Sequence, residues 1–101
     1  MAWKGSARFA YQLSSILIEA PIRSGIFAIY TQERCIFVGE AGDIRGRLLR
    51  LLDGDSACIA ENQPTHFAFE LADANSRALR CHELITELNP MCGERGESEV
   101  R

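Results

Sequence analysis

A chain of 101 residues, 47% of them hydrophobic and 25% charged, has the makeup of one ordinary globular domain with one modest core and leaves no room for a second. No apolar run approaches the roughly 18 residues of a membrane span, so no membrane partner is expected. A formal net charge of −3 and a pI of about 5.3 exclude a strongly basic protein that grips DNA tightly whatever its sequence.

The N-terminus, Met1 to Gly5, lacks an apolar stretch close behind a basic start, so a signal peptide is not expected and the cytoplasm is the expected location. Leu13, Ile16, Leu17 and Ala20 recur at helical spacing. They predict a short helix or partly extended flap, ended by Pro21, whose stripe needs burial on a sheet face. Residues 1–24 read as an N-terminal extension.

Gly25 to Tyr30 and Cys35 to Val38 are rich in β-branched and aromatic residues, and Thr31-Gln32-Glu33-Arg34 between them has hairpin length. The two strands should pair antiparallel. Glu40-Ala41-Gly42-Asp43 reads as a turn with Asp43 as N-cap of a helix that buries Ile44, Leu48, Leu51 and Leu52. Asp53-Gly54-Asp55-Ser56 stops that helix, and no calcium-loop spacing follows the two acids. Up to Pro64 the chain forms a connection of undefined shape.

Thr65 to Leu71 alternates, with Phe67, Phe69 and Leu71 on one face and His66, Ala68 and Glu70 on the other, as a third strand does. A last helix starts after Asp73 or Asn75 and carries Ala78, Cys81, Leu84, Ile85 and Leu88 on one stripe before stopping at Asn89-Pro90. The fold expected is α+β, a three-stranded antiparallel sheet flanked by helices over residues 25–90. Residues 91–101, polar and acidic, read as a disordered tail.

Four cysteines, Cys35, Cys58, Cys81 and Cys92, stand far apart with no Cys-x-x-Cys pair, which argues against a structural zinc site. In a reducing compartment all four should be thiols, with Cys35 a small buried hydrophobe and Cys92 incidental. Cys81 and His82 are adjacent on a helix and diverge by about 100°, so they do not converge on one ion. No metal site is expected.

Charge is unevenly spread. Residues 22–50 hold five arginines (Arg23, Arg34, Arg45, Arg47, Arg50) against Glu33, Glu40 and Asp43, whereas residues 51–101 hold ten acids against four arginines. A phosphate backbone would be drawn to the first group and repelled by the second. Arg45, Arg47 and Arg50 are the candidate phosphate-binding residues.

The run Gly25-Ile26-Phe27, then Phe37-Val38-Gly39, then Arg47 eight residues past that glycine resembles the core of the GIY-YIG endonuclease family. Phe27 and Phe37 stand at that family's two tyrosine positions and Arg47 at its catalytic arginine. Leu84, Ile85 and Pro90 match offsets that put the family's metal-binding glutamate at Cys81, and Leu51 replaces a histidine common there.

The resemblance implies a phosphodiester-cleaving chemistry in which a metal held by the glutamate polarises the phosphate, a tyrosine hydroxyl helps to activate water and the arginine stabilises developing charge. Phe27 has no hydroxyl for that work. Cys81 offers soft sulfur where Mg2+ wants hard oxygen. Among neighbours, Tyr30 should face away from Phe27, Glu83 lies about 200° around the helix from Cys81, and Glu40 is the one carboxylate expected within reach.

The sequence therefore points to a nuclease-like domain with a degenerate site, no cofactor and at most a weak grip on nucleic acid. Mg or Mn enters only if the site is active. A protein-interaction or inhibitory module, docking a protein partner through its acidic second half or apolar N-terminal segment, is the alternative. An active, metal-dependent endonuclease with a rearranged site is the third.

Overall fold

The computed structural model describes residues 7–92 of the chain. Along it run β1 (Phe9–Ala10), α1 (Leu13–Glu19), β2 (Gly25–Tyr30), β3 (Cys35–Ala41), α2 (Ile44–Leu52), α3 (Ala57–Glu61), β4 (His66–Leu71) and α4 (Ala74–Leu88). The four strands form one antiparallel sheet in the order β1-β4-β2-β3. The architecture is α+β as expected, but the sheet has four strands rather than three. Phe9 and Ala10 pair with Phe67 and His66, and two residues are too few to give a period-2 signal.

β2 lies in the middle of the sheet and is buried from end to end, so it reads as a continuous apolar run rather than as an alternation. Its neighbours' register sorts the side chains onto two faces. Phe27 is opposite Gly39 and Phe69, and Ile29 is opposite Phe37 and Phe67. These residues build a core with Ile16 of α1, Ile44, Leu48 and Leu51 of α2, and Ile59 of α3. All five phenylalanines, Phe9, Phe27, Phe37, Phe67 and Phe69, belong to this side. On the other face Ile26, Ala28, Tyr30, Val38 and Ala68 pack against Cys81 and Leu84 of α4. A register shift between Ile29 and Tyr30 leaves Tyr30 on the α4 side, away from Phe27, as alternation predicts.

α1 is the helix expected, though its stripe is only half covered. Ile16 and Ala20 are fully buried, whereas Leu13, Leu17 and Ile18 are 56%, 46% and 75% exposed. A seven-residue helix resting on α2 and β1 covers only part of its own surface, so the two leucines stay about half in solvent. The chain after α1 is used as a cap for α2: Arg23 O accepts from Ile44 N at 3.0 Å and Pro21 O from Arg45 N at 3.1 Å. Two donors that a helix start leaves open are thereby satisfied. The connection after α2, without shape in the sequence, holds α3, capped by Ser56, whose side chain accepts from Ile59 N. Asp73, not Asn75, caps α4, and Asn89 ends it in the left-handed conformation.

Two cysteine expectations are corrected. Cys58 and Cys92 form a disulfide across 34 positions, and Cys35 and Cys81 are buried thiols. Cys92 is 2% exposed and is not incidental. After α4 the chain turns back along β3, where Met91 N donates to Cys35 O at 3.1 Å and Cys92 N to Ile36 O at 2.7 Å. The first two residues of the expected disordered tail are thus held. Residues 93–101, and the signal-peptide question at Met1 to Gly5, lie outside the described residues. Among the described residues no helix is long and apolar enough to cross a membrane.

Candidate nucleic-acid interface

The turn between β3 and α2 and the first two turns of α2 place Arg47. Asp43 caps the helix, its Oδ1 accepting from Gly46 N at 3.0 Å. A Cβ at Gly46 would lie 2.6 Å from Asp43 Oδ2, so a side chain there would make the capping carboxylate shift. Arg47, one residue on, bonds through NH1 to Asp55 Oδ2 at 3.1 Å, its side chain 25% exposed. Between Glu40, Gly42, Asp43, Gly46, Arg47 and Arg50 lies a surface cavity of about 260 Å3. Two arginines, Arg47 and Arg50, and two acids, Glu40 and Asp43, line it.

The three candidate arginines part company. Arg50 is exposed and lines the cavity with Arg47. Arg45 is half-buried and turned the other way, its Nε donating to Ala20 O at 2.9 Å. It ties α2 to the end of α1. Glu40 lines the Arg47 cavity, but its carboxylate accepts from Arg77 Nε at 2.8 Å. Arg77 NH1 also donates to Ser24 Oγ at 3.0 Å, and Ser24 Oγ donates to Ala72 O at 2.6 Å. This pinned network joins α4, β3 and the entry to β2.

Phe27 and Phe37 are closed off from solvent, at 0% and 1% exposure. Their ring centroids are 5.8 Å apart, and both rings reach over Gly39. Cys81, at 1% exposure, sits on the opposite face of the sheet among Ile26, Ala28, Val38 and Leu84. Leu51 is in the Phe27 core. A hard divalent cation needs several oxygen ligands, and Cys81 brings one sulfur into an apolar cluster. Among the described residues no three His, Cys, Asp or Glu side chains converge to hold a metal ion. The groups present at these positions do not fit such an ion.

Glu83 is exposed and bonded to Arg80 NH1 at 3.3 Å, and His82 is exposed beside it, turned away from buried Cys81. Neither Asp55 as the Arg47 partner nor the Glu40–Arg77–Ser24 network is visible in the sequence. Asp55 stands eight residues from Arg47 across a helix end, where no local periodicity connects two side chains. Its one visible signal is the acid pair Asp53 and Asp55, which has the pattern of a helix stop.

No protein-family model and no curated protein matches the chain. Among solved structures it is similar to the GIY-YIG N-terminal endonuclease domain of UvrC from Thermotoga maritima bound to its catalytic divalent cation, magnesium. That match has a TM-score of 0.66 at 15% identity and covers 79% of this chain and 97% of that one. Two variants of the same domain, each with a tyrosine replaced by phenylalanine and each bound to the catalytic divalent cation, match with TM-scores of 0.66 and 0.65. Both are 16% identical over 79% of this chain, covering 97% and 96% of theirs. The chain has the GIY-YIG fold.

Proposed function

We propose that this GIY-YIG-fold chain is a nuclease-like module that does not cleave and that holds nucleic-acid phosphate weakly at Arg47 and Arg50. The carrying observation is the sealing of all three altered positions. Phe27 and Phe37 are packed rings without hydroxyls, and Cys81 is a thiol enclosed in an apolar cluster. Loss of a positioned acid or base costs about 10²–10⁴-fold in rate, and loss of the cation removes charge stabilisation worth several kcal/mol more. The UvrC variants bind their cation with a phenylalanine in place of a tyrosine. In this reading the phenylalanines abolish water activation, while Cys81 removes the cation.

What remains is a small cavity lined by two arginines and two acids. Arg47 shares its charge with Asp55, and Glu40 and Asp43 stand on the same rim. Duplex binding is therefore micromolar or weaker at physiological salt, with a shallow salt slope from one or two phosphate contacts. The test pairs two assays on the full chain. Plasmid and branched DNA stay intact with Mg2+ or Mn2+, and Arg47→Ala weakens anisotropy-detected duplex binding. Metal-dependent cleavage that Arg47→Ala abolishes would refute the reading.

One observation favours a second reading, a protein-docking module. Leu13, Leu17, Ile18 and Ile22 are all large, apolar and at least 46% exposed within ten residues of chain. Contact through that face would be insensitive to salt, unlike phosphate binding. Leu17→Ser together with Ile18→Ser would weaken it and leave duplex binding unchanged.

A further inference from the structure

We propose that the Cys58–Cys92 disulfide gates the Arg47 site, its reduction freeing Arg47 from Asp55 and strengthening phosphate binding; this rests on the phosphate-binding reading above. Asp55 is followed at once by Ser56, the N-cap of α3, and Cys58 is the second residue of that helix. Asp55 N also donates to Arg50 O at 3.2 Å, so the Asp55 carboxylate stands between two holds, the end of α2 and the start of α3. A five-residue helix is too short to hold itself. Ile59 in the core holds it on one side, while the Ser56 cap and the Asn62 Nδ2 bond to Cys58 O, at 2.8 Å, only close its own two ends. The disulfide ties it on the other side to Cys92, which β3 holds through Ile36 O.

Reduction removes the one covalent tie between α3 and that strap. A thiolate of a dithiol reductant attacks Sγ of Cys58, the less buried residue of the two: Cys58 is half-buried and Cys92 is 2% exposed. The Sγ–Sγ bond breaks and its electron pair leaves on Cys92 Sγ, near which Asn62 Nδ2 stands as a donor at 3.9 Å. The reductant's second thiol then displaces Cys58 Sγ. The dithiol ends as its own disulfide, and its two protons end on the two cysteine sulfurs. With α3 loosened, the Asp55 carboxylate spends less time on Arg47 and competes less with a phosphate for the same guanidinium.

The experiment measures binding of a short fluorescein-labelled DNA duplex at low salt by the oxidised full chain and by the dithiothreitol-reduced chain, with thiols counted by alkylation and mass spectrometry. Reduction should raise affinity about two- to fivefold, the range of a surface ion pair. Asp55→Asn should show the tighter binding in both states. Cys58→Ser with Cys92→Ser should ignore the reductant. A second readout needs no ligand: amide hydrogen exchange across residues 56–62 should speed up on reduction. Equal affinity in both states, or unchanged exchange, overturns the gating even if the serine variant misfolds. If neither state binds duplex while exchange still responds, the phosphate reading has failed and the gating falls with it, leaving only a redox-sensitive helix.

Discussion

Phe27 and Phe37 stand with ring centroids 5.8 Å apart and planes tilted by 42°, and the glycine that both rings cover is Gly39. A Cβ there would meet Phe37 Cε2 at 2.6 Å and Phe27 Cζ at 2.9 Å. The rings are walled in by the core, so they have little room to give. Gly39→Ala is expected to lower stability by about 1–3 kcal/mol, the usual cost of overpacking. A lower urea midpoint with an unchanged slope would show it; a midpoint equal to the parent's would mean that the rings yield.

Cys81→Glu is expected to destabilise by about 2–5 kcal/mol, because the carboxylate would enter an apolar cluster of Ile26, Ala28, Val38 and Leu84. The cost should shrink at acid pH, where the new side chain takes up a proton. Cys81→Ala, which removes only a small apolar volume, should cost much less. Denaturation of both variants at neutral and mildly acid pH gives the comparison, and equal stability of the two variants would contradict the burial.

Arg80 grips Glu70 with two bonds, Nε to Oε2 at 2.7 Å and NH2 to Oε1 at 3.0 Å, on side chains only 12% and 9% exposed. That bidentate contact holds the Arg80 guanidinium protonated well above its ordinary value, chiefly through the Glu70 hydrogen bonds. Arg80→Ala leaves the shielded Glu70 charge without its main partner and is expected to cost about 2–4 kcal/mol. Arg80→Lys recovers only part, because an ammonium cannot match the fork. Thermal melts of the two variants would rank them.

Alkaline pH should weaken the fold. Burial pushes the Cys35 thiol up to about 11 and the Tyr11 phenol up to about 12. Both therefore keep their protons in the native state after the unfolded chain, with values near 8.5 and 10, has lost them. The unfolded state then binds fewer protons, so stability falls as pH rises. The decline belongs to the window from about 8.5 to 11 for Cys35 and from about 10 to 12 for Tyr11. Urea midpoints measured across that range should drop, and Cys35→Ala should flatten the first part of the drop. A flat profile in the parent would show that neither group is shielded.

Sequence by itself determined the elements whose signals are local. The β2–β3 hairpin, the Asp43-capped α2, the alternating β4 and the α4 stripe with its stop at Asn89 all follow from neighbours a few residues apart, where periodicity, caps and turn chemistry act. The same spacing set Phe27, Phe37, Gly39 and Arg47 in a recognisable order. Tertiary structure decided what depends on distant segments meeting. It added β1, because a two-residue strand exists only by pairing with Phe67 and His66. It joined Cys58 to Cys92, because the chain beyond α4 returns along β3. It also turned Arg45 to Ala20 and Arg47 to Asp55, so that arginines alike in sequence came to different uses. A side chain's partner across a helix end or a sheet edge is chosen by how the layers pack, and packing leaves no periodic trace in the chain.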